Sequence, residues 1–498
     1  MRFALFENKV MPEKLLTSSE KTHRISFIES IPHQELNKAF SYNKELQLQL
    51  SGKQLLLDDL SFPLQNIHEH YENGYLHYRK GLTTEKNKSI CQRCGNQDKH
   101  FFARFPCARC GEECVYCRKC IMMGRVGECT PLLSWTGPSP YLECSVPPLT
   151  WDGTLSDGQQ TASRRVVEAV QNNTELLVWA VCGAGKTEVL FEGINQALTA
   201  GKRVCLATPR TDVVLELTPR FKKVFPNIPV ASLYGGSEDR HLYAPLTIAT
   251  THQLLRFYQA FDTIILDEVD AFPYTADETL QYAVRQARKS TSSMIYLTAT
   301  PNEKWQQECR QGKREFVTIP ARFHRHPLPV PEFHWCGNWE KQLKKDRLPS
   351  NISQWLQIRL DANKQCLLFV PKIEKMEKIL PLVRKLHPKI KAVHAEDPKR
   401  KEKVQAMRNK ETPLLLTTTI LERGVTFPNI DVAVLGAEDR IFTESALVQI
   451  AGRVGRSSLA PGGNITFFHY GKTEAMLRAK RQILNMNEEA RKKGLIDY

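Results

Sequence analysis

Ala180-Val181-Cys182-Gly183-Ala184-Gly185-Lys186-Thr187 follows an apolar run, Leu176-Leu177-Val178-Trp179. A strand, a glycine-bearing loop and then a helix present backbone N–H groups to phosphate at a helix N-terminus. On that reading Gly183, Ala184 and Gly185 cradle the phosphates of ATP, Lys186 reaches the β- and γ-phosphates and Thr187 holds Mg2+. Further along, Ile264-Ile265-Leu266-Asp267-Glu268-Val269-Asp270 puts two carboxylates at the end of a second apolar strand. Asp267 is expected to hold the same Mg2+ through its shell, and Glu268 to position and activate the attacking water. The two segments, each on its expected strand, imply nucleoside-triphosphate hydrolysis.

Cysteine supplies a second chemistry. Of fourteen cysteines, Cys91, Cys94, Cys107, Cys110, Cys114, Cys117 and Cys120 lie close together in the chain. Paired CxxC units offer tetrahedral thiolate ligands to Zn2+. Cys91, Cys94, Cys117 and Cys120 are expected to form one site. Cys107 and Cys110 are either an alternative second pair or, with Cys114 and Cys129, part of a second site. An iron–sulfur cluster has compatible spacing. Arg93, Arg109, Arg118 and Lys119 sit between the ligands, where they would offset thiolate charge or touch phosphate.

The elements that must position these groups follow from composition and periodicity. The 498 residues suffice for about three domains at ~150 residues each. A net charge of +15 favours polyanions, nucleic acid or anionic lipid. No stretch approaches the ~18 uninterrupted apolar residues of a spanning helix, and the N-terminus has no signal-peptide core. A cytoplasmic chain is expected, in which clustered cysteine means metal rather than disulfide.

Residues 1–87 are mixed in pattern and carry no assignable chemistry. Residues 88–130 form the cysteine module, and 131–151, rich in Pro, Ser, Gly and Trp, read as a linker. Over 152–320 apolar strands such as Arg203-Val204-Cys205-Leu206-Ala207 and Leu246-Thr247-Ile248-Ala249 alternate with helical segments, which indicates a parallel α/β sheet. A proline-rich segment, 321–345, reads as a second linker. Another α/β region occupies 346–470, and 471–498 reads as a basic helix.

Further motifs lie at strand ends. Gln159 is placed where its amide could read the adenine edge. Thr208-Pro209-Arg210 and Thr250-Thr251 suit the phosphates of a bound nucleic-acid strand, as do Thr418 and Thr419 in the hydroxyl- and glycine-rich segment Thr417–Thr426. Thr298-Ala299-Thr300 is placed to bond Asp267 or Glu268 and relay the nucleotide state. Gln449-Ile450-Ala451-Gly452-Arg453-Val454-Gly455-Arg456 puts two arginines three apart, on one face of an expected helix. Their planar guanidiniums suit a transferring phosphoryl group.

These motifs, in this order over residues 152–470, resemble the superfamily 2 helicases and translocases. The phosphate loop is similar to that family's A-x-T-G-x-G-K-T, with Cys182 in place of Thr. Asp267-Glu268-Val269-Asp270 is similar to its DExD/H box, Thr298-Ala299-Thr300 to its S/T-A-T motif, and Gln449–Arg456 to Q-x-x-G-R-x-G-R. The resemblance implies two RecA-like parallel-sheet lobes preceded by the small zinc-binding module. It implies ATP between the lobes, Gln449, Arg453 and Arg456 at the nucleotide, and stepping along one strand. A cysteine module before the phosphate loop resembles, more narrowly, the late competence ATPases of the ComFA family. That implies single-stranded DNA as substrate track and a ComFC-like partner. It also implies a peripheral place at the inner face of the membrane beside the DNA-uptake channel. A PriA-like replication-restart helicase, an RNA helicase and an ATP-switched DNA-binding assembly factor are the competing readings.

Overall fold

Continuous apolar runs need both faces covered, and a parallel sheet under helices is the arrangement that covers them. Val204–Thr208 and Leu246–Thr250 are buried along their whole length and pair in parallel, Leu206 opposite Ile248. The computed structural model describes residues 1–17, 20–85, 88–140, 147–422 and 427–497 of the chain. In it a seven-stranded sheet runs in the order Val230–Leu233, Leu246–Thr250, Val204–Thr208, Phe261–Leu266, Arg288–Thr298, Glu175–Ala180 and Phe316–Ile319. The helices Phe191–Thr199, Thr211–Val224 and Glu278–Ala287 connect its strands.

A second, six-stranded sheet has the order Glu332–Trp335, Ile465–His469, Asp431–Leu435, Cys366–Phe369, Leu414–Thr417 and Lys391–Val393. Neighbouring strands in it run parallel. The period-two alternation of strands sorts its side chains onto two faces. Leu367, Phe369, Val432 and Val434 join one core, while Cys366, Leu368, Ala433 and Leu435 join the other. A Leu, Val or Phe side chain contributes about 1.5–3 kcal/mol on full burial, so both sheet faces hold the lobe together. Two parallel α/β lobes are therefore present, as the alternating pattern predicts.

The N-terminal region has its own core. Phe3–Phe6 and Lys9–Pro12 form an antiparallel hairpin. Helix Lys44–Leu50 starts at Asn43, whose side chain accepts the N–H groups of Glu45 and Leu46. Phe3, Ile25, Leu46, Tyr71, Tyr78 and Leu133 pack together. Leu133 belongs to a strand, Pro131–Trp135, paired antiparallel with Leu76–Lys80. These five residues, expected to open a linker, instead close the N-terminal domain. The cysteine module is thus inserted between two of that domain's strands.

The segment expected as a second linker is also partly ordered structure. Glu332–Trp335 is the edge strand of the second sheet, and Trp339 and Leu343 of helix Trp339–Leu343 enter its core. The basic C-terminal helix spans Glu474–Lys492 and is amphipathic: Met476, Ile483 and Met486 are buried, while Arg481, Arg491 and Lys492 are exposed. It packs on helix Glu444–Ala451.

The chain forms two compact units. Met1–Asp152, Val166–Glu175 and Phe191–Tyr296 make the first, with the cysteine module and the acidic motif. Gly153–Arg165, Leu176–Leu190 and Leu297–Tyr498 make the second, with the phosphate loop and the arginine motif.

Candidate nucleotide site and metal centres

In the second unit, the strand residues Leu176–Ala180 deliver the chain into Val181–Gly185, and helix Lys186–Val189 begins at once. The turn needs left-handed backbone at Gly183 (φ +82°) and Gly185 (φ +70°), which glycine adopts without steric cost. A Cβ on Gly185 would stand 2.3 Å from the Gln159 Nε2. That nitrogen donates to the carbonyls of Ala184 (2.9 Å) and Gly185 (3.2 Å), and the Ser156 N–H donates to the Gln159 Oε1. Gln159, expected at the adenine edge, here braces the loop. Lys186 and Thr187 are half-buried at the helix start. The glycine turn leaves backbone where side chains would otherwise stand, so these residues fit a bound triphosphate with Mg2+.

The arginine motif departs from expectation. Helix Glu444–Ala451, capped by the Thr443 hydroxyl, ends at Ala451. Arg453 and Arg456 lie beyond it in turns, Gly455 adopting φ +68°. They do not share a helical face, because the helix ends at Ala451 with Gly452 as its cap. Arg453 is buried (1% exposed) and Arg456 half-buried.

This turn meets the phosphate loop within the same unit. The Cys182 thiol donates to the Gln449 Oε1 at 3.0 Å. A Cβ on Gly452 would come within 2.4 Å of the Cys182 Cβ, so only glycine admits the loop there. Gly452→Ala is expected to overpack this contact, at a cost of about 1–3 kcal/mol. Gly471, where an added methyl group would meet nothing within 4 Å, is the control. A thermal melt checks it: Gly452→Ala should melt lower than the natural protein and Gly471→Ala should not.

The same unit carries the Thr298-Ala299-Thr300 segment. The Thr300 N–H donates to the Thr298 Oγ1 (2.9 Å), and the Thr300 and Ser445 hydroxyls are 2.8 Å apart. The Ala299 carbonyl accepts from Trp179 Nε1 (3.1 Å) and from Gln482 Nε2 (2.7 Å). The segment therefore joins the strand before the phosphate loop, the helix before the arginine turn and the C-terminal helix. Ser445, Gln482 and Arg322, which also reaches the loop, are not found from the sequence. Each lies outside a recognised motif, and Arg322 lies in a stretch that reads as linker.

In the first unit, strand Phe261–Leu266 ends at the acidic pair. The Asp267 N–H donates to the Ala207 carbonyl (2.8 Å), which anchors it to the neighbouring strand. The Asp267 Oδ1 accepts the Glu268 N–H at 2.8 Å, with Glu268 at φ +53°. Positive φ in a glutamate is uncommon and fits a side chain held for a task. Both carboxylate residues are half-buried.

The residues expected to touch nucleic acid differ in exposure. Thr208, Pro209, Thr250 and Thr251 are buried behind their strand ends. Arg210 is half-buried and makes a two-pronged ion pair with Asp212 at 3.0 and 2.6 Å. In the second unit Thr418 and Thr419 are half-buried. Residues 423–426 of that segment lie outside the described residues.

Among the described residues, eight cysteines form two groups of four. Cys91, Cys94, Cys117 and Cys120 make one, and Cys107, Cys110, Cys114 and Cys129 the other, the sulfurs of each lying within 4.8 Å of one another. Tetrahedral Zn2+ with bonds of about 2.3 Å spaces its sulfurs about 3.8 Å apart. The Cys91–Cys120, Cys94–Cys117 and Cys107–Cys129 sulfurs are 3.8, 3.7 and 3.7 Å apart. Both groups fit zinc, and Cys107 and Cys110 lie together with Cys114 and Cys129 in the second group. Buried Arg93 donates to the Cys120 Sγ (3.1 Å) and to the carbonyls of Cys120, Met123 and Gly124. It lowers the charge of the first group and braces its loop. Arg109 instead pairs with Asp58, and Lys119 with Asp277. Gly95 of the first knuckle packs against the Tyr282 ring, and the Tyr282 hydroxyl donates to the Gln92 carbonyl. The first metal group is thus seated on the helix that follows the acidic motif.

Comparison with known proteins agrees with this arrangement. The N-terminal domain of competence protein ComFA matches residues 34–134, the res subunit of type III restriction enzymes 152–303 and the helicase conserved C-terminal domain 347–458. Competence protein ComFA of Bacillus subtilis (strain 168) is 49% identical over 457 residues, 92% of this chain and 98% of its own length. Competence protein ComFA of Streptococcus pneumoniae (strain ATCC BAA-255 / R6) is 39% identical over 82% of this chain and 93% of its own. The replication restart protein PriA of Rickettsia felis is 24% identical and matches 43% of this chain. The matched family models take in the N-terminal cysteine-bearing domain as well as both helicase-type lobes, and with relatives 49% and 39% identical over 98% and 93% of their own length the chain belongs to the competence protein ComFA family.

Proposed function

We propose that this protein is an ATP-driven motor that moves along single-stranded DNA and draws transforming DNA across the cytoplasmic membrane during natural competence. One observation carries the motor reading. Within one unit, the phosphate loop and the arginine turn are joined through Cys182, Gln449 and Gly452. A change at the phosphates is therefore felt directly in the turn bearing Arg453 and Arg456. The competence role rests on family membership.

Lys186, at the start of its helix, would bind the β- and γ-phosphates, and Thr187 and Asp267 would hold Mg2+. When bound, that ion neutralises charge on the transferring phosphoryl group. Glu268 orients a water and takes its proton. Arg453 and Arg456 stabilise charge that develops on the phosphoryl oxygens. Thr300 and Ser445 carry the change to the helix before the turn. Half-buried Arg210 in the first unit and half-buried Thr418 and Thr419 in the second contact the DNA strand, while buried Thr208, Pro209, Thr250 and Thr251 hold the strand ends behind Arg210 in place.

The two cysteine groups hold zinc and build the surface that meets DNA or a ComFC-like protein. No helix among the described residues is long and apolar enough to cross a membrane. We place the protein at the inner membrane face through its channel partners.

Displacement of streptavidin from a biotinylated single-stranded oligonucleotide tests stepping. ATP-dependent displacement, absent with a non-hydrolysable analogue, is the expected result. ATP hydrolysis without displacement would assign the protein instead to ATP-switched assembly.

A further inference from the structure

Arg322 stands outside every recognised motif, in the proline-rich stretch after the first lobe, and is 2% exposed. Its guanidinium contacts carbonyls, and these come from two segments far apart in the chain. Nε donates to the Cys182 carbonyl of the phosphate loop at 3.0 Å. Nη2 donates to the Gly452 carbonyl at 3.2 Å, and Nη1 to those of Val454 (2.7 Å) and Gly455. Four of the five N–H donors of a guanidinium are thereby engaged.

A buried cation is costly unless its protons are taken up. Burial lowers the Arg322 pKa to about 10, with nearby Arg456 adding to the effect and Cys182 opposing it. Arg322 therefore stays charged at neutral pH. The Gly452 carbonyl also accepts from the Arg456 Nε at 2.8 Å. One carbonyl thus receives both Arg322 and an arginine of the proposed ATP site.

We propose that Arg322 is a positioning residue, which fixes the turn carrying Arg453 and Arg456 to the backbone of the phosphate loop so that the two move as one. The proposal rests on the ATP reading above and adds a residue to it. Its donors go to backbone carbonyls, and through the shared Gly452 carbonyl it sets where Arg456 stands. Lysine, a point donor, keeps the charge but cannot span four carbonyls.

A double-mutant cycle on steady-state ATP hydrolysis tests it. Arg322→Lys should lower kcat by about tenfold or more, since small misplacement of a reacting constellation has effects of that size. The Kd for a fluorescent ATP analogue should change less than about twofold. Combined with Arg456→Ala, Arg322→Lys should add no further loss, because both changes remove the same arginine function. A merely structural role would lower the melting temperature and give additive losses. Arg322→Gln, nearer in length and neutral, serves if Arg322→Lys does not fold. Natural kcat in the folded Arg322 variant, or additivity with Arg456→Ala, overturns the proposal. Hydrolysis that persists in Lys186→Ala would remove the ATP reading itself, which separates the two failures.

Discussion

Lys186→Ala is expected to lower ATP turnover by about 10³-fold or more. Lys186 begins the helix that leaves the glycine turn, where the backbone opens at Gly183 and Gly185. Its ammonium is the cation that the phosphate loop itself supplies, and alanine removes it without disturbing either glycine. The side chain is half-buried, so stability should change by no more than about 0.5 kcal/mol. Glu268→Gln should give a similar loss by a different route: shape is kept, but the amide cannot take a proton from water. Because glutamine leaves the phosphate contacts in place, its ATP affinity should stay near the natural value. Steady-state hydrolysis together with ATP binding separates the two. A Glu268→Gln protein that hydrolyses ATP normally would remove Glu268 from its assigned role.

The second large effect concerns metal. The protein should carry two zinc ions per chain, and Cys91→Ser/Cys94→Ser should carry one. Structural zinc contributes about 10–16 kcal/mol to the folding of small zinc-finger peptides. Much of this module's order should therefore depend on its ions, for its strands are short. The consequence reaches beyond the module. Gly95 lies against Tyr282 and Lys119 pairs with Asp277, at the start of helix Glu278–Ala287. Loss of the first ion should loosen that helix while leaving the phosphate loop, in the other unit, intact. Metal analysis with hydrogen exchange over residues 278–287 checks both parts. Unchanged zinc content in the double variant would contradict the assignment.

What depends on neighbours in the chain is the most legible in sequence. Parallel strands such as Cys366–Phe369 announce themselves as unbroken apolar runs, and the phosphate loop as glycines between a strand and a lysine. The first cysteine group is legible because CxxC spacing is local. Its counterpart is only half legible, because Cys129 comes from a separate strand connection. Pro131–Trp135 reads as linker because its partner, Leu76–Lys80, precedes the whole inserted module. Arg453 and Arg456 have helical spacing, yet the helix ends at Ala451, before either can use it. Arg322 cannot be found by pattern at all. A buried cation bound to carbonyls looks, as a letter in a sequence, like any surface arginine.

Steady-state ATP hydrolysis at fixed salt, measured without nucleic acid and with single-stranded DNA, duplex DNA and RNA, tests the central claim most directly. Strong stimulation by single-stranded DNA, lost in Lys186→Ala, is the predicted result. A slow rate indifferent to every nucleic acid would contradict the motor.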